Sequence, residues 1–154
     1  MKILGRKLLL PMLLLVPAGT AYGADGSDCS KIQKIVGGEV NQKENVCKAE
    51  VPRKNLQVSL MGVPVSPELI ELGFEANFEK KDSQTVVTGE FALLGEEVNP
   101  VVDALRKGGI EITAIHNHLI GEQPRILYLH FQGIGDQMAL AKTVRQAIDA
   151  VRKG

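Results

Sequence analysis

The chain has 154 residues, of which 18 are Lys or Arg and 18 are Asp or Glu, so its formal net charge is zero. This length suits one domain that buries a real hydrophobic core. No stretch concentrates basic residues in the way that binding to a phosphate backbone requires. Nucleic acid is therefore not an expected partner.

The first residues have the three parts of a secretory signal peptide. Three basic residues lie within the first seven positions, and residues 8–16 are almost wholly apolar. Residues 21 and 23 are alanine and glycine, small side chains that suit cleavage after Gly23. The apolar run is shorter than the roughly 20 residues of a membrane-spanning helix, and no second run of that length follows. We predict that residues 1–23 are a signal peptide and that the mature chain, with a formal charge of −3, is periplasmic or secreted without a membrane anchor.

Cys29 and Cys47 are the only cysteines, and both remain after cleavage. Disulfides persist in exported proteins, so we expect these two residues to be paired. Two separate thiols are the alternative. A zinc site is not indicated, because no histidine lies next to either cysteine.

The N-terminal part of the mature chain shows little periodicity. Residues 24–46 are polar and contain one possible helix, at residues 30–36, which ends at Gly37 and Gly38. We interpret residues 24–46 as an N-terminal arm and residues 47–154 as a single α+β domain.

Alternation of apolar and polar residues predicts three strands in the first half of the domain. They lie at residues 56–60, 73–79 and 85–93, and the last two form an antiparallel hairpin. Gly89 inside the third strand suggests a bulge or a close approach of another backbone.

Two helices and two further strands complete the predicted domain. In chain order they are a helix capped by Asn99 with Pro100 in its first turn and Gly108-Gly109 at its end, strands at residues 110–118 and 125–131, and a helix capped by Asp136. The order strands, helix, strand, strand, helix predicts an α+β fold, in which two helices pack on one side of a mainly antiparallel sheet.

The chain's three histidines lie close together in sequence. His116, His118 and His130 fall within 15 residues, and Glu122 lies between them. Residues two apart on a strand project to the same side, so His116 and His118 can share one ion. His130 reaches that face only if it pairs with residue 112 or 114, since pairing with residue 113 would turn it away.

Three imidazoles and a carboxylate suit zinc, copper, iron or manganese and leave an open position for water or substrate. The expected metal ligands are His116, His118, Glu122 and His130. Glu122 has a second possible role as the general base.

Two alternatives to a metal remain open. In one, the histidines, Asn117 and Arg125 bind a small anion or polar molecule. In the other, His116 and His118 share a face with Ile110 and Ile112 and are hydrogen-bonded histidines at the end of a core strand.

Several short motifs resemble the LppY/LpqO family of exported bacterial proteins. They are Val51-Pro52-Arg53, Gly62-Val63, Gly89-Glu90, Glu97-Val98-Asn99-Pro100, the run of residues 109–119, Pro124-Arg125, His130 and Gly135-Asp136. The resemblance covers roughly residues 47–151. It implies an exported bacterial protein with a polar centre at His116, Asn117, His118, Glu122, Arg125 and His130, and it brings no established reaction.

The sequence thus favours an exported domain that binds a transition metal at its histidine cluster. A non-metal module for a small ligand and a metal-assisted hydrolase or lyase are the alternatives. Binding is favoured over catalysis because no serine lies in a Gly-x-Ser-x-Gly elbow and no other nucleophile motif accompanies the cluster.

Overall fold

The structure is a computed structural model that describes residues 28–151. The predicted signal peptide, residues 1–23, lies outside this range. Within residues 28–151, no helix is long and apolar enough to cross a membrane.

The domain is built on a six-stranded antiparallel sheet. Its strands are β1 (Glu39–Lys43), β2 (Val46–Pro52), β5 (Gly73–Lys81), β6 (Gln84–Leu93), β7 (Glu111–Asn117) and β8 (Leu127–Gly135), in the spatial order β1-β2-β5-β6-β8-β7. A separate hairpin consists of β3 (Val58–Leu60) and β4 (Val63–Val65). The helices are α1 (Cys29–Val36), α2 (Val98–Lys107), preceded by a 3-10 turn at Gly95–Glu97, and α3 (Gln137–Val151).

One face of the sheet carries the main hydrophobic core, which the three helices cover. Strict alternation in β5 buries Phe74 and Phe78, and equivalent positions of β6 and β8 bury Phe91 and Phe131. The Phe91 ring packs edge to face against Phe74, with centroids 4.9 Å apart, and against Phe131 at 5.0 Å. This geometry suits the charge distribution of aromatic rings, so the three aromatics fix the centre of the core.

The opposite face of the sheet is polar over most of its width. Glu75, Thr88, Glu90, His130 and Gln132 occupy the positions that alternate with the core residues. At one end this face is covered by the segment of residues 53–72, which brings a second hydrophobic cluster. Its members are Leu56, Val58, Ile70 and Leu72, packed on Ala92, Ile126 and Tyr128. The covering segment leaves the histidine-bearing part of the face open.

A buried ion pair joins the covering segment to the start of α2. Arg53 and Glu97 are only 2% and 9% exposed, and their side chains meet through two contacts, Nη1–Oε2 at 2.5 Å and Nη2–Oε1 at 2.8 Å. Arg53 also donates to the carbonyl of Ala92 at 3.0 Å, and Glu97 accepts from the amide of Leu94 at 2.7 Å. These contacts satisfy both charges, and they give a structural role to two residues that the family resemblance had highlighted.

The α+β class and the mainly antiparallel sheet are confirmed, but the predicted element order was incomplete. Residues 28–151 contain three helices rather than two, because α1 buries Ile32 and Val36 in the main core. The residues predicted to form an arm therefore contribute a helix and the edge strand β1 to the domain. The alternation that predicts a strand is absent from β1, since almost all its side chains are exposed.

The helix start at Asn99 was also misplaced. The 3-10 turn leads directly into α2, whose N-cap is Glu97, so Asn99 and Pro100 lie within the first helical turn. The predicted cap of the last helix is correct: Asp136 Oδ1 accepts from the amide of Ala139 at 2.9 Å.

The predicted disulfide is present. Cys29 at the start of α1 is bonded to Cys47 in β2, with their Cα atoms 5.4 Å apart. Because Cys47 is fully buried, the bond fixes α1 against the sheet from the core side.

Candidate functional site

A β-bulge decides which way the histidines face. β7 pairs with β8 so that Ile112 lies opposite Phe131 and Ala114 lies opposite His130, which leaves Thr113 as an extra residue. Such an extra residue reverses the alternation of side chains along the strand. Ile112 therefore packs against the main core. Beyond the bulge, Ala114 and every second residue after it, such as His116, lie on the polar face.

The β7–β8 pairing gives the register that the sequence left open, and the bulge contradicts one interpretation of the histidines. His130 pairs with residue 114, one of the two registers that place it beside His116. The interpretation of His116 and His118 as core histidines is wrong, because they do not share a face with Ile110 and Ile112. His116 is exposed, whereas Ile110 is 1% exposed.

His116 and His130 form a close pair on the polar face. Their Nε2 atoms are 2.9 Å apart and their rings are stacked, with centroids 5.1 Å apart. His116 Nδ1 lies 2.9 Å from the carbonyl oxygen of Asn117. His130 Nδ1 lies 3.6 Å from Glu90 Oε2, a charge contact longer than a hydrogen bond.

The partner of His116 Nδ1 favours one tautomer of that ring. A carbonyl can only accept, so the neutral His116 ring is favoured with its hydrogen on Nδ1, whereas the 3.6 Å contact of His130 Nδ1 with Glu90 is too long to fix the His130 tautomer. His116 Nε2 is then an acceptor, and its 2.9 Å separation from His130 Nε2 is that of an N–H···N hydrogen bond when His130 carries its hydrogen on Nε2. When both rings carry their hydrogens on Nδ1, the two lone pairs face each other and can share a cation.

His118 and Glu122 form a second, separate pair. His118 Nδ1 lies 2.9 Å from Glu122 Oε2, while Glu122 Oε1 accepts from the amides of Leu119 at 3.2 Å and Ile126 at 3.0 Å. Glu122 is only 2% exposed. Both of its oxygens are therefore already occupied by protein donors.

The predicted four-residue cluster is thus divided into two pairs. In the part of the chain that the structure describes, no group of three or more His, Cys, Asp or Glu side chains is arranged to hold a metal ion. Asn117 contributes its backbone carbonyl, and Arg125 is exposed on the loop that precedes β8.

Tyr128 is a site residue that the sequence prediction missed. Its ring centroid lies 4.6 Å from that of His118 and 6.2 Å from that of His116. Its hydroxyl donates to the carbonyl of Glu71 at 2.8 Å, and burial, assisted by the negative charge of Glu90, raises the pKa of Tyr128 to about 12. The spacing could have identified it, because residues 128 and 130 share one face of β8.

The open side of the histidine pair leads into a cleft on the polar face. A cavity of about 260 Å³ is lined by His130, Thr113 and Glu90, among others, and a neighbouring cavity of about 510 Å³ also includes Glu90 and extends to Tyr128. Glutamates dominate the charged lining. Lys48 is one of the few cations there, and the carboxylates of Glu75 and Glu50, each 2.9 Å away, raise the pKa of its ammonium group.

The charge of this cleft bears on what it can attract. Carboxylates on low-dielectric walls concentrate cations and repel anions. The surroundings of the histidine pair therefore favour a cation over the small anion that the sequence left as an alternative.

Comparison with known proteins identifies the family but not an activity. Residues 30–150 match the family described as Domain of Unknown Function (DUF1259). The match spans most of the chain, so the protein belongs to this family. No curated protein and no solved structure matches the chain.

Proposed function

We propose that this protein is an exported binding protein for a divalent transition metal, which it holds through Nε2 of His116 and Nε2 of His130. One observation carries the proposal. The two nitrogens lie 2.9 Å apart, and the opposite side of each ring faces an oxygen acceptor.

The distances support metal coordination. Bonds from zinc to imidazole nitrogen are about 2.0–2.1 Å long, so two nitrogens on one tetrahedral ion lie roughly 3.3 Å apart, and the 2.9 Å between the two Nε2 atoms has to widen by only a few tenths of an ångström. Ligating histidines also place their second nitrogen against a carbonyl or carboxylate, which fixes the ring and raises its basicity. The carbonyl of Asn117 and the carboxylate of Glu90 are suited to this role.

The candidate metals remain zinc, copper, iron and manganese. Imidazole suits the first three in particular, and geometry rather than affinity separates them. Two protein ligands leave several positions open toward the cleft, where water or a small polar ligand can bind.

We favour binding over catalysis, with a metal-assisted hydrolase or lyase as the enzymatic alternative. The sequence prediction made Glu122 a ligand or a general base. The proposal no longer uses it in either role, because its oxygens accept from three donors of the 118–126 loop.

Export is part of the proposal. It is supported by the signal-peptide pattern of residues 1–23 and by the disulfide, which is typical of oxidising compartments. Membership of the LppY/LpqO family stays a prediction, since the family match does not bear on it.

The test is calorimetric titration of the untagged chain that begins at Ala24 with Zn²⁺ and, separately, Cu²⁺. We expect one ion per chain, and we expect His116→Ala and His130→Ala each to abolish measurable binding. Gln132→Ala is the matched control, since Gln132 lies two residues beyond His130 on the same face of β8, and it should bind like the wild type.

Two results would contradict the proposal. A wild-type chain that binds neither ion would leave the cleft as a site for a metal-free ligand. Equal binding by wild type and both histidine variants would place the metal elsewhere.

A further inference from the structure

We propose that two neighbouring turns of this protein insert into the surface of a phospholipid bilayer that carries anionic headgroups. One turn is Met61-Gly62, between β3 and β4, and the other is Ile120-Gly121, in the loop between β7 and β8. These four residues are called the two tips below. Membrane binding of this kind is independent of the proposed metal site, because none of the metal ligands belongs to the tips.

The two tips extend from the molecule side by side. Ser59 of β3 forms an antiparallel bridge with Gln123, in which each amide donates to the carbonyl of the other residue, at 2.8 and 3.0 Å. Because the two segments are antiparallel, the chain after Ser59 and the chain before Gln123 leave the bridge in the same direction. Met61 and Ile120 therefore lie on the same side of the bridge.

Both tips carry a large apolar side chain that is fully exposed. Met61 is 96% exposed, and Ile120 is 104% exposed. A Cβ atom added to Gly62 or to Gly121 would meet no heavy atom within 4 Å. The tips thus protrude into solvent, where apolar surface is unfavourable, and they add nothing to either hydrophobic cluster.

The backbone at Met61 also points to a role outside the domain. Met61 and Gly62 both have positive φ angles, 51° and 82°, as in the type I′ turn of a tight hairpin. Asn, Asp or Gly is favoured at the first of these positions, because other side chains are strained in the left-handed region. Neither the turn nor solvation favours methionine here, so its side chain is suited to an apolar partner.

The size and shape of this surface fit a bilayer better than a protein. Val63 and Leu119 flank the tips and are 62% and 38% exposed, so the apolar surface of the tips amounts to four side chains. A stable protein interface uses about 20–30 residues on each side and buries about 800 Å² per partner. A bilayer is fluid and needs no matching pockets, and its headgroup boundary accepts protruding apolar side chains.

The charges of the two segments favour anionic headgroups. Residues 56–66 contain no charged side chain, and within residues 118–126 Glu122 is buried whereas Arg125 is exposed. These segments therefore present no exposed carboxylate that anionic lipids would repel. A basic residue near an anionic surface strengthens binding by about fivefold, and Arg125 is placed to supply this attraction.

Tryptophan fluorescence tests the insertion directly, because the chain contains no tryptophan of its own. The probes are Met61→Trp and Ile120→Trp, made separately in the chain that begins at Ala24 and mixed with vesicles of phosphatidylglycerol and phosphatidylcholine in equal parts. We expect the emission of both probes to shift to the blue and to be quenched by brominated acyl chains. Ile134→Trp is the matched control: Ile134 is 66% exposed near the other end of β8, and its probe should show neither change.

Sedimentation with the same vesicles measures the affinity. We expect the double variant Met61→Ser and Ile120→Ser to bind at least about tenfold more weakly than the wild type, and Arg125→Gln about fivefold more weakly. Ile134→Ser should bind like the wild type. Circular dichroism checks that the variants are folded, which we expect because every replaced side chain is exposed.

Four results would overturn the proposal. They are a wild type that does not bind the anionic vesicles, unshifted emission from both tip probes, equal binding by the double serine variant, and self-association in solution that this variant abolishes. The last result would identify a second copy of the chain as the partner of the tips. None of them bears on the metal site, because the titrations with Zn²⁺ and Cu²⁺ contain no lipid.

Discussion

Gly89 shows how tightly single residues are constrained in the centre of the sheet. It lies on β6 between Ala76 of β5 and Phe131 of β8. A Cβ atom at this position would come within 2.3 Å of the carbonyl oxygen of Glu75 and 2.4 Å of the Phe131 ring. The first neighbour is backbone, so it cannot move aside without disturbing the strand pairing.

We therefore predict that Gly89→Ala lowers the free energy of unfolding by about 1–3 kcal/mol, the usual cost of overpacking a well-filled core. Urea denaturation of the purified protein measures this change. Gly95→Ala is the control, because a Cβ at Gly95 meets no heavy atom within 4 Å and this substitution should change stability by less than about 0.5 kcal/mol. Equal stabilities of the two variants would show that the sheet relaxes around residue 89.

The residues of the site differ in how far the sequence could reveal them. His116, His118 and His130 were predictable, because histidine is rare in this chain and residues two apart on a strand share a face. Glu90 was not, since its contact with His130 depends on the pairing of β6 with β8, which no local pattern encodes. Glu122 was predicted from its position, but its burial and its contacts with His118, Leu119 and Ile126 are not encoded by a local pattern.

At the scale of elements, the bulge in β7 has the largest effect on the site. The sequence predicted a strand at residues 110–118, and the structure has β7 there, but a regular strand would place His116 on the core side with Ile112. A bulge leaves only a weak signal in sequence, and the one suspected at Gly89 is absent because the register continues through that residue. Gly89 instead marks the close approach, which was the other prediction for it.

Two single-residue deletions test this account of β7. Removing Thr113 deletes the extra residue and keeps Ile112 opposite Phe131 and Ala114 opposite His130. We expect this deletion to be folded and to retain metal binding. Removing Ile115 instead shifts His116 by one position and turns it to the helix-covered face, so metal binding should be lost.

Calorimetric titration with Zn²⁺ and circular dichroism of both deletion variants provide the measurement. Loss of binding in a folded variant lacking Thr113, or retention of binding in the variant lacking Ile115, would contradict the register argument. The two variants have the same length, so the comparison controls for the shortening of the strand.

On the scale of the whole molecule, α1 illustrates what composition and spacing can predict and what they cannot. The disulfide and the short helix were predicted, because two cysteines in an exported chain and a short helical pattern are local signals. The attachment of this segment to the core was not predicted. It depends on contacts with distant residues, such as the hydrogen bond from Arg145 of α3 to the carbonyl of Val36 at 2.9 Å.

The disulfide should supply a large part of the stability of the whole domain. It closes a loop between residues 18 positions apart, and a loop of this size is worth about 3 kcal/mol in the chain-entropy account. We predict that the double variant Cys29→Ser and Cys47→Ser unfolds with a free energy lower by about 3 kcal/mol in urea, while remaining folded at low urea, because Ile32 and Val36 keep α1 in the main core. The wild type under reducing conditions should match the double variant, which itself should not respond to the reductant. A double variant as stable as the oxidised wild type would show that packing alone holds α1 in place.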